Sequence, residues 1–172
     1  GEDGIRINGL IWMGNKEQMA ERISQKLSLG FKCLKLKIGG IDFASEIDLI
    51  KSIRNRFPKD ILELRLDANG AFSPDEALSK LEILSQFDIH SIEQPIKQGN
   101  YQAMSDVCKN SPIPIALDEE LIGVVESEAK IELLDTIKPQ YIILKPSLAG
   151  GFASSDEWIT LAEEREIGWW AT

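Results

Sequence analysis

Histidine and cysteine are almost missing from this chain. One histidine, His90, and two cysteines, Cys33 and Cys108, stand among 172 residues. No cluster of imidazoles and thiolates can therefore compete as a metal site. The cysteines lie far apart, in one strand-like and one helix-like context, so reduced thiols in a cytoplasmic protein are expected rather than a disulfide. Long apolar runs are missing too. None approaches the roughly 20 residues of a membrane-crossing helix, and the opening Gly1-Glu2-Asp3 shows no basic-then-apolar signal region. Positive charge is in deficit: 28 acidic residues face 19 basic ones, for a formal net charge of −9. A nucleic-acid partner, which asks for a clustered basic face, is not expected.

What is present is an ordinary globular balance, 43% hydrophobic and 27% charged, in a length that suits one domain over 1–172. Apolar β-like segments recur at 9–13, 31–38, 61–67, 89–93, 113–118, 140–145 and 167–172. Stretches of helical period lie between them, with recognisable ends. Asn15 can cap a helix stopped by Gly30, and Asp42 one over 43–57, before Pro58. Ser73-Pro74 is a cap followed by a first-turn proline, opening a helix over 74–87. Further helices fit 101–110, 124–137 and 155–166. Seven β/α units in strict alternation predict parallel strands joined by right-handed crossovers. Several strands are apolar almost throughout, as strands covered on both faces must be. A doubly wound open sheet is the rival. No glycine-rich phosphate turn follows the first strand, and the charges favour a (β/α)₈ barrel with seven units visible.

Four strands end on an ionisable residue: Asp67, Glu93, Asp118 and Lys145. Lys35 and Lys37 occupy the strand one unit before Asp67. In a (β/α)₈ barrel these positions share the C-terminal rim, where barrel enzymes carry their chemistry. A lone aspartate at a strand end most often caps the next loop. Three carboxylates at matched register would repel one another and raise their own pKa values unless a cation joined them. An all-oxygen set points to Mg²⁺, with Mn²⁺ as a substitute, over zinc. Lys35 and Lys37, two apart on one strand, leave the same face. An edge strand with solvated lysines is the plainer account of that pair, but an otherwise apolar strand beside the carboxylate series argues for a buried one. Lys145 approaches the same rim four units later. Nearby positive charge would lower a lysine's pKa and make it a proton acceptor. The combination points to proton abstraction beside a substrate carboxylate, with the cation stabilising the enediolate that results. His90 opens the fourth strand, at the far end of the barrel from this rim, so a histidine base is not expected.

The residues around these positions resemble a known family. Leu34-Lys35-Leu36-Lys37-Ile38-Gly39 is similar to the K-x-K strand of the enolase superfamily's lysine-based, muconate-cycloisomerase-like branch. Leu66-Asp67-Ala68-Asn69-Gly70, Ile92-Glu93-Gln94-Pro95 and Ala116-Leu117-Asp118-Glu119 resemble its three metal strands, and Ile143-Leu144-Lys145-Pro146-Ser147 its sixth. The ordered set spans nearly the whole chain. Within the branch, residues 7–14, 145–151 and 168–172 resemble the dehydratases of menaquinone synthesis.

The resemblance implies that Asp67, Glu93 and Asp118 bind Mg²⁺. It implies that Lys37 takes the α-proton and returns it to the departing hydroxide, a syn elimination by one residue. Lys145 would stay protonated and stabilise the intermediate over the substrate ring, and Lys35 would tune Lys37. Asn69 and Glu119 would support the metal ligands and lysines, and Ser147 and Gly150 would border a small carboxylate substrate. A lysine-based racemase of N-acylated amino acids, or a dipeptide epimerase, is the competing enzyme. A non-catalytic barrel fragment that binds a metal or a protein is the reading from another class. The family's eighth strand and N-terminal capping domain are not seen in this sequence. The expectation is therefore a central piece of a longer enzyme, poorly active alone, with the rest of its own polypeptide completing the site.

Overall fold

A computed structural model describes residues 7–172. Gly1-Glu2-Asp3, read above for a signal region, lies outside the described residues. Seven strands and six α-helices alternate: β1 (Gly9–Ile11), α1 (Lys16–Ser28), β2 (Cys33–Lys37), α2 (Phe43–Arg56), β3 (Glu63–Asp67), α3 (Pro74–Ser85), β4 (Ser91–Glu93), α4 (Tyr101–Asn110), β5 (Ile115–Leu117), α5 (Ser127–Ile137), β6 (Tyr141–Leu144), α6 (Gly151–Glu163) and β7 (Gly168–Ala171). The sheet order is β1 through β7 in sequence, and every neighbouring pair is parallel. A doubly wound sheet must reverse its strand order at a switch point. This one never does, so it is the wall of a barrel.

The helix starts follow from their caps. Asn15 Oδ1 accepts from Gln18 N–H while the Gln18 side chain accepts from Asn15 N–H, closing a capping box on α1. Asp42 Oδ1 accepts from Ser45 N–H on α2, and Asn100 Oδ1 from Ala103 N–H on α4. Two helices begin elsewhere than the sequence suggests. After β5 the chain makes a 3₁₀ turn over Glu119–Leu121, so α5 starts at Ser127 rather than at 124. Helix α6 begins at Gly151, not at 155. Ser155, the first residue of the expected range, donates to Gly151 O at 2.9 Å inside the first turn. The real cap is Gly150, whose φ of 87° is open to glycine at no steric cost.

Alternation along the strands sorts the core into two layers. Leu34, Leu36, Leu64, Leu66, Ile92, Leu117, Ile142 and Leu144 are buried beneath Met19, Ile50, Ile53, Leu81, Met104, Leu133 and Trp158 of the helices. Each such side chain contributes about 1.5–3 kcal/mol by leaving water. The alternate positions face the barrel interior and carry the charges. Between the edge strands β1 and β7 lies a cavity of about 750 Å³, bordered by Leu10, Cys33, Glu63, Arg65 and Trp170. Among the described residues no helix is long and apolar enough to cross a membrane.

Candidate active site

The register places the charged residues side by side. Lys37 pairs with Asp67 across β2 and β3, and Asp67 with Glu93 across β3 and β4. Asp118 follows β5 and Lys145 follows β6 directly. The structure thus brings together eight of the residues read from the sequence, and the ion pairs of Lys35 and Lys37 interlock through Asp67. Lys35 Nζ donates to Glu93 Oε2 at 2.9 Å and stands 3.6 Å from Asp67 Oδ2. Lys37 Nζ donates to the same Asp67 oxygen at 2.7 Å and to Asn69 Oδ1 at 2.6 Å. Asn69 Nδ2 in turn donates to Glu119 Oε1 at 2.7 Å. On the far side, Lys145 Nζ donates to Asp118 Oδ2. The lysine pair is inward-facing, with Lys35 buried at 7% exposure and Lys37 half-buried, which excludes the solvated-edge account.

Glu93 is fully buried and its Oε1 has no hydrogen-bond partner. Burial, together with repulsion from Asp67 and Asp118, outweighs the pull of Lys35 and pushes its pKa up to about 7. Lys145 goes the other way for a lysine in a cleft. Burial lowers its pKa, but the hydrogen bond and charge of Asp118, with Glu119 and Glu93 beyond, hold it above the ordinary lysine value.

Among the described residues no three histidine, cysteine, aspartate or glutamate side chains are gathered as a chelating group; each rim carboxylate is held by a lysine instead. The donor set still fits a hard divalent cation. It is all oxygen, three of its members are carboxylates on adjacent strands, and a buried Glu93 oxygen is left without a partner.

Ser147 and Gly150 lie in the loop after Lys145, where Leu148 and Ala149 N–H both donate to Lys145 O at 2.8 Å. Both are exposed, and the Ser147 hydroxyl makes no hydrogen bond to the lysine–carboxylate cluster among the described residues. His90 sits at the opposite end of the barrel, its Nδ1 3.0 Å from Ser91 Oγ and its ring stacked on Tyr141. Three site residues escape a sequence reading. Trp12 stands just beyond β1 with its ring 5.1 Å from Lys37 Nζ. Gln94 and Glu120 are buried behind Glu93 and Asp118. Their only sequence signal is position: Trp12 at a strand end, and the other two beside an expected ligand.

A parallel barrel wall with carboxylates and lysines interleaved at the C-terminal ends of β2 to β6 places acids and bases together at the rim where barrel enzymes carry their chemistry. The chain belongs to the family described as enolase C-terminal domain-like, whose model matches residues 18–172. It is 56% identical over 172 residues to an o-succinylbenzoate synthase of Desulfotalea psychrophila, covering 100% of this chain and 46% of that protein. A crystal structure of MenC from Desulfotalea psychrophila LSv54 superposes with a TM-score of 0.91 at 55% identity, over 100% of this chain and 47% of that one. An L-Ala-D/L-Glu epimerase of Bacillus subtilis is 29% identical over 163 residues, 94% of this chain and 43% of that protein. The chain thus spans about half the length of the curated relatives it matches.

Proposed function

We propose that this chain is the catalytic wall of an o-succinylbenzoate synthase, a cytoplasmic lyase of menaquinone synthesis. It would dehydrate 2-succinyl-6-hydroxy-2,4-cyclohexadiene-1-carboxylate to 2-succinylbenzoate. The observation that carries this reading is the likeness to an o-succinylbenzoate synthase along the whole chain, 56% identical over 172 residues. The rim lysines fit it: Lys37 is paired to Asp67 and bonded to Asn69, and Lys145 is paired to Asp118, so each stands beside a carboxylate that would hold the cation.

Asp67, Glu93 and Asp118 would hold Mg²⁺, which when bound supplies positive charge to the substrate carboxylate as the α-proton leaves. Lys37, in its amine form, takes that proton into its Nζ. The C–O bond to the ring hydroxyl then breaks, and the Lys37 ammonium delivers the same proton to the departing hydroxide, releasing water. The lysine ends as it began, and the ring gains its aromatic double bond. Lys145 keeps its proton throughout and faces the negative charge that develops on the substrate. Lys35 holds Glu93 in place and keeps a second positive charge beside Asp67. Trp12 covers Lys37 and limits the water that reaches it.

A racemase would use both lysines as opposed bases, and the 29% identical epimerase keeps that alternative in view. The weaker likeness to the epimerase, 29% against 56% identity, disfavours it. Completion of the site by a lid and an eighth strand belongs to the same proposal, so the 172-residue chain alone should turn over slowly. The test is ultraviolet absorbance of the aromatic product, formed by the full-length protein with Mg²⁺. Mg²⁺-dependent aromatisation lost in Lys37→Ala supports the reading. Absence of aromatisation, with α-deuterium exchange into N-acyl amino acids, would make the protein a racemase.

A further inference from the structure

Every loop that carries a rim carboxylate is tied to one buried residue, Gln94. Its backbone N–H donates to Ala116 O at 2.9 Å, and its carbonyl accepts from Gly70 N–H at 2.7 Å. Its side-chain Oε1 accepts from the N–H groups of Asp118 and Glu120, both at 3.3 Å. Its Nε2 donates to Ile96 O at 3.1 Å and to Glu120 Oε2 at 2.9 Å. Glu120, itself buried, uses Oε1 to accept from Gly99 N–H at 2.8 Å. The β3, β4 and β5 loops are thereby joined through a single amide. Gln94 holds this place at a φ of 38°, a left-handed conformation that a long side chain adopts rarely and that precedes Pro95. Strain of that kind persists where the surroundings over-determine it, and it clusters at functional sites.

Neither Gln94 nor Glu120 reaches the rim opening. What Gln94 fixes is the separation between its own neighbour Glu93 and Asp118. We propose that Gln94, anchored by Glu120, is a positioning residue that sets the Glu93–Asp118 spacing and thereby the size of cation the carboxylates accept. The argument is geometric. Mg²⁺ demands near-ideal octahedral oxygens at about 2.0–2.1 Å, whereas Ca²⁺ accepts 2.3–2.6 Å in flexible arrangements. A rigid pair of adjacent strand ends favours the first ion, and a loosened pair forfeits that preference. The inference rests on the proposed cation site and adds to it a determinant that touches neither cation nor substrate.

The test is calorimetric titration of the full-length protein with MgCl₂ and, separately, CaCl₂, without substrate. Gln94→Asn is the variant of choice. Asparagine tolerates the left-handed backbone, yet it is one methylene too short to reach Asp118 N–H. Outer partners of metal ligands typically contribute about 10–100-fold in affinity, so Mg²⁺ binding should weaken by that factor. Ca²⁺ binding should change by less than about threefold, in keeping with its flexible coordination. Equal losses for both ions, or an unchanged ratio, would overturn the proposal. If Gln94→Asn does not fold, Glu120→Ala gives the same reading, because it removes the acceptors of both Gln94 Nε2 and Gly99 N–H and so the anchor. A Mg²⁺-to-Ca²⁺ preference retained there counts against Gln94. A wild-type protein that binds neither ion sinks the cation site itself, and the positioning role with it.

Discussion

The two ends of the barrel both bury charge, and they do it in opposite ways. At the far end Arg65 and Glu63 sit two apart on one strand, paired at 2.6 Å, with the guanidinium 4.2 Å over the Trp170 ring. Burial alone would raise the Glu63 pKa, but Arg65 pulls it below the usual carboxylate value. His90, Tyr141 and Trp170 pack around that pair. At the rim every ion pair runs between strands, and the pairing is incomplete. Among the described residues, the buried side-chain oxygens without a partner are Glu93 Oε1 and Glu119 Oε2, both rim carboxylates. The other unpartnered buried atoms are the neutral indole nitrogens of Trp158 and Trp170. One end spends its charges on holding the wall together. The other keeps carboxylate oxygens in reserve, as a site must if a ligand is to complete it.

Removing a cation from each end separates these roles most widely. Lys37→Ala should lower the rate of α-proton removal on the order of 10²–10⁴-fold, the usual contribution of a positioned acid–base group, while sparing the fold. Arg65→Ala should do the reverse, costing about 2 kcal/mol in urea unfolding through the lost ion pair and ring contact. Equal destabilisation by both, compared by denaturation midpoints, would erase the distinction.

Stability against pH should then show opposite slopes. Glu93 has a folded pKa of about 7, above its unfolded value of 4.5. Its contribution is full below 4.5 and is lost as pH rises through 7. His90 is lowered from 6.5 by burial. Its contribution is full above 6.5 and is lost as pH falls through the depressed value. In chelator, Glu93→Gln should flatten the fall of Tm between pH 5 and 8 by a few degrees, about the shift that 1 kcal/mol makes in a domain of this size. His90→Gln should flatten only the acid side. Slopes unaltered by either change would show that neither group governs the profile.

The smallest effect belongs to neither end. Asn15→Ala removes the α1 cap and should cost about 1 kcal/mol. Cation affinity, measured by the same titration, should not move.

The sequence carried the order of the strands, the capping of α1, α2 and α3, and the rim positions of the lysines and carboxylates. All of these depend on local signals: apolar alternation, cap residues and the spacing of one β/α unit. Strand ends came out one or two residues long, because fraying is not written in composition. What stayed illegible depends on partners far away in the chain. Gln94 reads as an ordinary polar residue before a proline until Asp118 and Glu120 fold against it. The early start of α6 was masked because Gly150 and Gly151 read equally well as a tight turn.

Trp12 has a use beyond covering Lys37. The chain holds four tryptophans: Trp12, Trp158, Trp169 and Trp170. Trp158 is packed in α6 and the other two belong to β7, while Trp12 alone stands at the rim, 59% exposed and over the Lys37 ammonium. The protein therefore carries its own fluorophore at the mouth of the site, where an arriving ligand or a shifted lysine changes the indole's surroundings and its emission with no label attached.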